Sequence, residues 1–298
     1  MSSVVVIGAV SIDQLAKSSE KIVMGDRNPG FIKKVYGGVG KNVAENLAYL
    51  SVDVTLITVL AIEDLDFISY AKKSGLKIIY KEVEKTPTFC GVFDYQGEFS
   101  VGISDFRSMK AIDIDYIKKV DHVIEKADII VLDANISTGI IEHIMDTYKK
   151  PIYLNAISGA KAKRIKDFVG RVYSLKLKVH ELKALDDSVS INDRIINLLK
   201  KGTKNVYLTL GEKGLILGTS GVITNYNKPF TGEIRNTSGA GDALFSGIIF
   251  SDLMKYDLQK KLEFSTALTH LTLLTDNNVS RASVIDVEKY INTNFYNK

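Results

Sequence analysis

The sequence predicts an α/β protein of three layers, in which helices cover both faces of a mainly parallel central sheet. Short apolar, β-branched runs alternate with helical segments along most of the chain, which indicates βαβ units. Two segments interrupt that alternation, at about 14–36 and 86–104, and we expect them to form a small inserted β-sheet that acts as a lid and excludes water. Because no repeat or linker interrupts the core, we treat 1–298 as one domain.

In the first third of the chain, apolar runs and glycines indicate where strands, helices and turns lie. The run 4–7 is β-branched without a polar break, as in a strand buried on both faces. Asp13 follows it, near the sheet edge where open α/β sheets bind ligands, although a turn residue would also explain it. The glycine turn 37–40 opens a helix whose apolar face includes Val43 and Leu47. The elements that follow are a strand 54–60, a helix ending near Lys73, a strand 77–81 and a hairpin of 88–94 and 98–103.

Beyond the hairpin the alternation of strands and helices is regular. Apolar runs of strand length are separated by amphipathic segments of helix length. We predict strands 129–133, 152–155, 172–176 and 206–210, a hairpin of 215–217 and 222–225, and helices 138–148, 160–168, 179–185, 191–200, 240–255, 258–274 and 284–294.

Composition narrows the possible functions. The net charge of +4 is small for 298 residues and the lysines are scattered, so no nucleic-acid polymer is expected as a partner. The longest apolar runs fall short of the roughly 18 residues that a membrane span needs, and no signal peptide is recognised. The single cysteine, Cys90, excludes an internal disulfide and suits a reducing compartment, so we expect a cytoplasmic protein.

The stretch 236–242, Asn-Thr-Ser-Gly-Ala-Gly-Asp, is the strongest candidate for chemistry. Its small residues leave backbone N–H groups exposed at the start of a helix, and such a helix N-terminus can bind an anion. Asp242 beside such a site suits a base that takes a proton from the acceptor of a phosphoryl group. A capping Asp after a glycine turn explains the same residues, and the stretch alone does not decide between the two.

These motifs together resemble the ribokinase-like (PfkB) family of sugar and nucleoside kinases. The resemblance covers nearly the whole chain and is carried by 37–44, Gly-Gly-Val-Gly-Lys-Asn-Val-Ala, and by 236–242, in the same order and spacing. It implies a ribokinase-like fold, ATP and Mg²⁺ as cofactors, a small sugar or nucleoside as substrate, and a homodimer formed through the lid. It also allows for a monovalent cation.

The resemblance assigns roles residue by residue. Asp242 is the implied general base, and the backbone of Gly239, Ala240 and Gly241 is the implied anion hole for the transferring phosphate. The turn 209–214 is where the family holds ATP, although a hairpin turn would also explain it. The residues implied for the substrate hydroxyls are Asp13, Gly37, Gly38 and Asn42, and those implied for ATP are Thr209, Gly211 and Gly214.

One motif departs from the family pattern. The family often has Asn-x-x-Glu, which organises Mg²⁺ through water, and this chain has Lys178-Val179-His180-Glu181. Glu181 is therefore the expected indirect metal ligand. Lys178 is expected either to contact a phosphate of ATP or to point to solvent.

Further details favour a C-nucleoside over a free hexose or ribose as acceptor. They are the basic residue before Asn42, the stretches 104–107 and 133–136, and Asn236 where many sugar kinases of the family have Asp. The implied reaction is ATP plus pseudouridine giving pseudouridine 5′-phosphate and ADP, and Asp105 is a candidate for reading the base or ribose. A ribokinase, another nucleoside kinase and a non-catalytic nucleotide-binding regulator are the alternatives. A dinucleotide-dependent dehydrogenase is disfavoured because its Gly-x-Gly-x-x-Gly fingerprint is absent after the first strand.

Overall fold

The structure, a computed structural model, describes residues 2–296. Its strands are β1 Ser3–Ile7, β2 Ser11–Ser18, β3 Gly30–Gly37, β4 Asp53–Leu60, β5 Lys77–Glu82, β6 Thr88–Phe93, β7 Phe99–Asp105, β8 Ile129–Asp133, β9 Ile152–Asn155, β10 Ser174–Lys178, β11 Asn205–Thr209, β12 Leu215–Thr219 and β13 Val222–Tyr226. Its α-helices are α1 Val39–Tyr49, α2 Asp66–Lys72, α3 Ile114–Ile124, α4 Thr138–Thr147, α5 Gly159–Arg164, α6 Val179–Leu185, α7 Ile191–Lys201, α8 Ala240–Leu253, α9 Leu258–Leu273 and α10 Val284–Ile291. None of the helices in this range is long and apolar enough to cross a membrane.

The central sheet has nine strands in the order β13-β12-β11-β10-β9-β8-β1-β4-β5. Every pair from β11 to β5 is parallel, and the hairpin of β12 and β13 adds two antiparallel strands at one edge. The predicted mainly parallel sheet is therefore confirmed. Strand order reverses at β1, which has β4 on one side and β8 on the other, and open α/β sheets bind ligands beyond the carboxyl ends of the strands at such a point.

Two apolar cores lie on opposite faces of this sheet. Side chains of β1 alternate between them, with Val5 and Ile7 on one face and Val4 and Val6 on the other. The first core packs under α3 to α7, and the second under α1, α2 and α8 to α10. A strand with no polar face needs both layers, which is why the apolar run 4–7 predicts the three-layer arrangement.

Several elements differ from the prediction, among them helix α5, which was predicted over 160–168 and ends at Arg164. Helix α3 has no predicted counterpart, although Asp113 caps it by accepting a hydrogen bond from the Tyr116 N–H at 2.8 Å. The segment expected to join the inserted sheet contains strand β2, Ser11–Ser18, for which the sequence predicts no strand bounds. Strand β10 ends at Lys178 rather than at 176, so its last residues reach further into the ligand edge of the sheet.

A separate four-stranded sheet forms the lid, in the order β3-β2-β6-β7. Strands β2 and β3 pair antiparallel, as do β6 and β7, whereas β2 and β6 pair parallel. The strands join the body where Gly37 leads into α1 and where β1 leads into β2, so the lid stands over the carboxyl ends of the central strands. The small inserted sheet predicted from the sequence is confirmed.

His270 on α9 is a buried histidine that should make folding sensitive to acid. It lies among the rings of Phe230, Tyr290 and Phe295, and this burial lowers its pKa from 6.5 to about 4. Between pH 6.5 and pH 4, His270 is protonated in the unfolded chain but stays neutral in the folded chain. The free energy of unfolding should therefore fall as pH drops from 6.5 towards 4. Urea titrations across this range should show a smaller fall for His270→Phe than for the wild type. Replacing the exposed His122 by Phe is the matched control, and equal slopes in all three proteins would contradict the prediction.

Candidate functional site

The N-terminus of α8 lies at the ligand edge and carries Asp242 in its first turn. Gly239 caps the helix with φ of 80°, and a side chain there would overlap the carbonyl of Asn278, so only glycine fits. The first N–H groups of a helix have no partner within the helix, and they carry partial positive charge. The residues predicted as an anion hole, Gly239, Ala240 and Gly241, therefore form a helix start that faces the same space as Asp242.

Two amide side chains fix the carboxylate of Asp242. Asn42 Nδ2 donates to Oδ2 at 2.8 Å, and Asn155 Nδ2 donates to Oδ1 at 3.3 Å. Asp242 is only 8% exposed, and this burial raises its pKa, while the nearby charge of Lys176 opposes the rise. Because both oxygens accept hydrogen bonds, the carboxylate is held in one orientation and keeps lone pairs for a proton.

Lys176, which the sequence predicts only as the end of a strand, is part of this centre. It is 3% exposed, and its Nζ lies 3.0 Å from the point that a Cβ on Gly241 would occupy. Burial lowers its pKa, and the carboxylates of Asp242 and Glu181 raise it. A lysine within the buried strand β10 is the sequence signal that could have found it, since a buried charge needs partners.

The glycine turn before α1 meets Asp13 on the lid strand β2. A side chain on Gly37 would overlap the Asp13 carboxylate, and Gly38 has φ of 101°, so both positions require glycine. Ser11 Oγ donates to Asp13 Oδ1 at 2.6 Å, and burial raises the pKa of Asp13. The structure thus brings together Asp13, Gly37, Gly38 and Asn42, and Asn42 links this group to Asp242.

Asp133 at the end of β8 is a second residue for which the sequence predicts no individual role. Its Oδ2 accepts hydrogen bonds from the N–H groups of Ala9 and Gly40, at 2.8 and 3.0 Å. Its Oδ1 accepts from the Asn135 N–H at 2.8 Å. Burial raises its pKa and these backbone donors oppose that rise. One carboxylate therefore connects the glycine turn to the loop that follows β8.

The residues predicted for ATP lie further along the same edge. Thr209 and Lys178 are register partners at the ends of β11 and β10. Gly211 is exposed, and a side chain added to it would meet nothing within 4 Å, so its backbone presents an open surface. Gly214 has φ of 84° and lies against the carbonyl of Tyr226. The side chain of Lys178 is exposed beside this group.

Glu181 on α6 uses only one of its two carboxylate oxygens in a hydrogen bond. Its Oε2 accepts the Lys178 N–H at 2.7 Å, whereas its Oε1 is buried without a hydrogen-bond partner in the range 2–296. The same range contains no cluster of three or more His, Cys, Asp or Glu that would cage a metal ion. These residues fit Mg²⁺ that is held mainly by nucleotide phosphates, with Glu181 Oε1 reaching it through water.

Asp105, the last predicted substrate residue, is not brought to the group around Asp13. Across the lid it shares a row with Thr88 and Ile12, and so lies on the sheet face opposite Asp13. Its carboxylate binds the Arg107 side chain at 2.7 and 2.9 Å, and this pairing lowers its pKa.

Comparison with known proteins gives a match over most of the chain. The family model described as pfkB family carbohydrate kinase matches residues 1–280. The pseudouridine kinase of Escherichia coli strain K12 is 27% identical over 256 residues, which is 82% of each protein. The guanosine-inosine kinase of Exiguobacterium acetylicum is 24% identical and covers 84% of this chain and 87% of its own length.

Solved structures show the same fold. Ribokinase from Thermotoga maritima has a TM-score of 0.85 and 19% identity, covering 98% of this chain and all of that one. Ribokinase from Cryptococcus neoformans, in complex with ADP, has a TM-score of 0.78 and 14% identity, covering 97% of this chain and 99% of that one.

Proposed function

Since the chain belongs to the pfkB family of carbohydrate kinases, we propose that it transfers the γ-phosphate of ATP to the 5′-hydroxyl of pseudouridine. The observation that carries the proposal is the placement of Asp242, which two amides hold at the start of α8, between the glycine turn and the edge predicted for ATP. The similarity to two proteins named pseudouridine kinase, from Escherichia coli and Arabidopsis thaliana, supports the choice of acceptor.

The proposed mechanism uses groups spread along one sheet edge. The ribose hydroxyls are held by Asp13, Gly38 and Asn42. Asp242 takes the proton of the 5′-hydroxyl while the 5′-oxygen of the nucleoside forms a bond to the γ-phosphorus. The bond between that phosphorus and the β–γ bridging oxygen breaks, and ADP leaves. The N–H groups at the start of α8 and the Lys176 ammonium stabilise the negative charge on the transferring group. Mg²⁺ on the phosphates supplies further charge neutralisation when bound.

A panel of acceptors tests the choice of substrate. A coupled ADP assay should give pseudouridine a higher kcat/KM than uridine, guanosine, inosine, ribose or fructose 6-phosphate. Faster turnover of ribose would overturn pseudouridine as the substrate and leave a sugar kinase. ATP binding without turnover of any acceptor would favour the nucleotide-binding regulator.

Glu181→Gln should raise the Mg²⁺ requirement of the reaction. The change keeps the size of the side chain but removes the charge that would orient metal-bound water, and loss of such an outer partner typically costs about 10- to 100-fold in metal affinity. Rates measured against Mg²⁺ at saturating ATP should therefore reach half-maximum at higher Mg²⁺ in the variant. The matched control is Glu142→Gln on the exposed side of α4. If both variants showed the wild-type dependence, Glu181 would have no part in metal binding.

We also propose that two lids pack together in a homodimer. One face of the lid carries an apolar row of Ile32, Ala16, Val92 and Val101, which are register partners across all four strands. Ile32 is 76% exposed and Ile103, on the same face, is 74% exposed, so a second copy would remove them from water.

Light scattering should give a mass of twice 32.9 kDa for the wild type and for Ile285→Asp, an exposed position on α10. Ile103→Asp should give the monomer. A monomeric wild type would exclude the lid dimer without affecting the proposed reaction.

A further inference from the structure

Three side chains meet beside the proposed ribose site and have no part in the mechanism above. They are Phe106, directly after lid strand β7, Asn135 in the loop after β8, and Lys161 in the first turn of α5. Lys161 Nζ donates to Asn135 Oδ1 and lies 4.9 Å from the centroid of the Phe106 ring. We call these three residues the trio. A donor, an acceptor and an aromatic face therefore converge from the end of β7, the loop after β8 and the helix that follows β9.

The trio is tied to the glycine turn through Asp133. The same carboxylate that accepts from the Gly40 N–H also accepts from the Asn135 N–H, at 3.0 and 2.8 Å. Its charge also acts on Lys161, whose pKa burial lowers and Asp133 raises. The trio is thus connected through Asp133 to the glycine turn that is proposed to hold the ribose.

The loop that carries Asn135 is held in place from both ends. Arg164 Nη2 donates to the Ile136 carbonyl at 3.0 Å, and Ser137 caps α4 through the Ile140 N–H. Asn135 itself is only 9% exposed. A polar pair positioned in this way needs little reorganisation to bind a ligand, which favours recognition of a defined edge.

We propose that the trio reads the ring of a nucleoside substrate, a planar base in which a carbonyl stands next to an N–H group. Lys161 donates to the ring carbonyl, Asn135 Oδ1 accepts the adjacent ring N–H, and Phe106 packs against the ring face. Lys161 has two further N–H donors and Asn135 Oδ1 has a second lone pair, so the ring binds without breaking the hydrogen bond between them. This inference rests on the proposed function and adds the part of the site that selects the base.

The chemistry of the pair matches a uracil ring better than it matches an anion. An ammonium has three donors, and within residues 2–296 Lys161 uses one of them on Asn135, so a carbonyl finds a donor there. Asp133 and Arg164 act on Lys161 with opposite charges, so no positive charge accumulates at this position beyond that of the Lys161 ammonium itself. Pseudouridine offers two ring N–H groups next to carbonyls, whereas uridine carries its ribose on one of those nitrogens.

Steady-state kinetics and calorimetry on Lys161→Met test the inference. Removing a hydrogen bond from a charged donor costs about 1.5–3 kcal/mol, so kcat/KM for pseudouridine should fall about 10- to 100-fold. The loss should appear in KM and in the calorimetric affinity for pseudouridine, while kcat and ATP affinity stay near wild type. Phe106→Leu should act in the same direction, and Lys163→Met, exposed on the same helix, should have no effect.

The outcomes separate this inference from the proposed function. If the wild type phosphorylates pseudouridine and Lys161→Met does so with unchanged KM, the trio does not read the base and only the inference falls. A loss of kcat with KM unchanged, or equal losses for pseudouridine and ribose, would show a structural role and also overturn it. Selective loss of fructose 6-phosphate turnover would mean that Lys161 binds a phosphate. A wild type that neither binds nor phosphorylates any nucleoside would remove the proposed function and the inference together.

Discussion

Asp242→Asn should lower kcat by about 100- to 10,000-fold, the usual contribution of a positioned general base, while ATP affinity stays nearly unchanged. The asparagine has the same shape but cannot take the proton of the acceptor hydroxyl. In the wild type, kcat/KM should rise with pH through the pKa of Asp242, which burial raises above 3.8, and then level off. The variant should lose this acidic limb, because its residual rate no longer depends on that carboxylate.

Stability must be measured beside turnover, because Asn42 and Asn155 both donate to Asp242. An amide at 242 has one acceptor oxygen, so one donor is left facing an NH₂ group at a cost of about 1–3 kcal/mol. Asp252→Asn is the matched control, since Asp252 is ten residues further along the same helix, about 15 Å away, and is bound by Tyr153 at 2.7 Å. The control should lose stability but keep turnover. Wild-type turnover by Asp242→Asn would remove Asp242 from the mechanism.

The fold could be predicted from the sequence because its signals are local. Strand β8 and helix α6 were predicted with the bounds that the structure shows, since an uninterrupted apolar run and a short amphipathic run leave few alternatives. The segment that contains β2 was expected to join the lid, but the strand's bounds could not be predicted, because Gln14 and Lys17 are exposed there and pairing with β3 and β6 rather than burial makes the strand. Helix α3 was missed although its buried face, Ile117, Val120 and Ile124, has helical spacing.

Only some residues of the candidate site could be predicted from the sequence. Glycine turns are recognisable in a sequence because few other residues tolerate positive φ or close backbone approach. For this reason Gly38 and Gly239 could be predicted as site residues. Lys176 and Asp133 carry a weaker signal, because the contacts that place them in the site are made with residues distant in sequence, Asp242 for Lys176 and Gly40 for Asp133. Asp105 was expected near the substrate, but the register of the lid places it on the face opposite Asp13.

The order of strands explains how residues that are distant in sequence come to lie along one edge of the sheet. Asp133 lies on β8 beside β1, Asn155 on β9, Lys176 on β10 and Thr209 on β11, and these strands are neighbours in the sheet. The residues proposed for the acceptor therefore lie near β1 and β8, and those proposed for the nucleotide lie at the ends of β10 and β11. Helix α8 starts above the middle of this row, where Asp242 bonds to Asn155. In the proposed reaction the transferring phosphate passes between Asp242 and Lys176.

Lys176→Met should lower kcat by about 100- to 1,000-fold, as expected when one donor to a developing negative charge is removed. Its ammonium lies beside Gly241 at the start of α8, where the transferring group is proposed to sit. Methionine keeps most of the length of the side chain, so the buried strand β10 stays packed. Lys176 also lowers the pKa of Asp242, so its removal should raise that pKa further. The acidic limb of kcat/KM should therefore move to higher pH.

This shift separates a role in charge stabilisation from a role in packing alone. A residue that only fills space would change stability, whereas the pH at which Asp242 titrates would stay the same. Lys183→Met, an exposed lysine on α6, is the control and should leave both kcat and the pH profile unchanged. A Lys176→Met enzyme with wild-type kcat would show that the start of α8 and Mg²⁺ together suffice for the transferring charge. A lowered kcat with an unmoved acidic limb would instead place the ammonium too far from Asp242 to set its protonation.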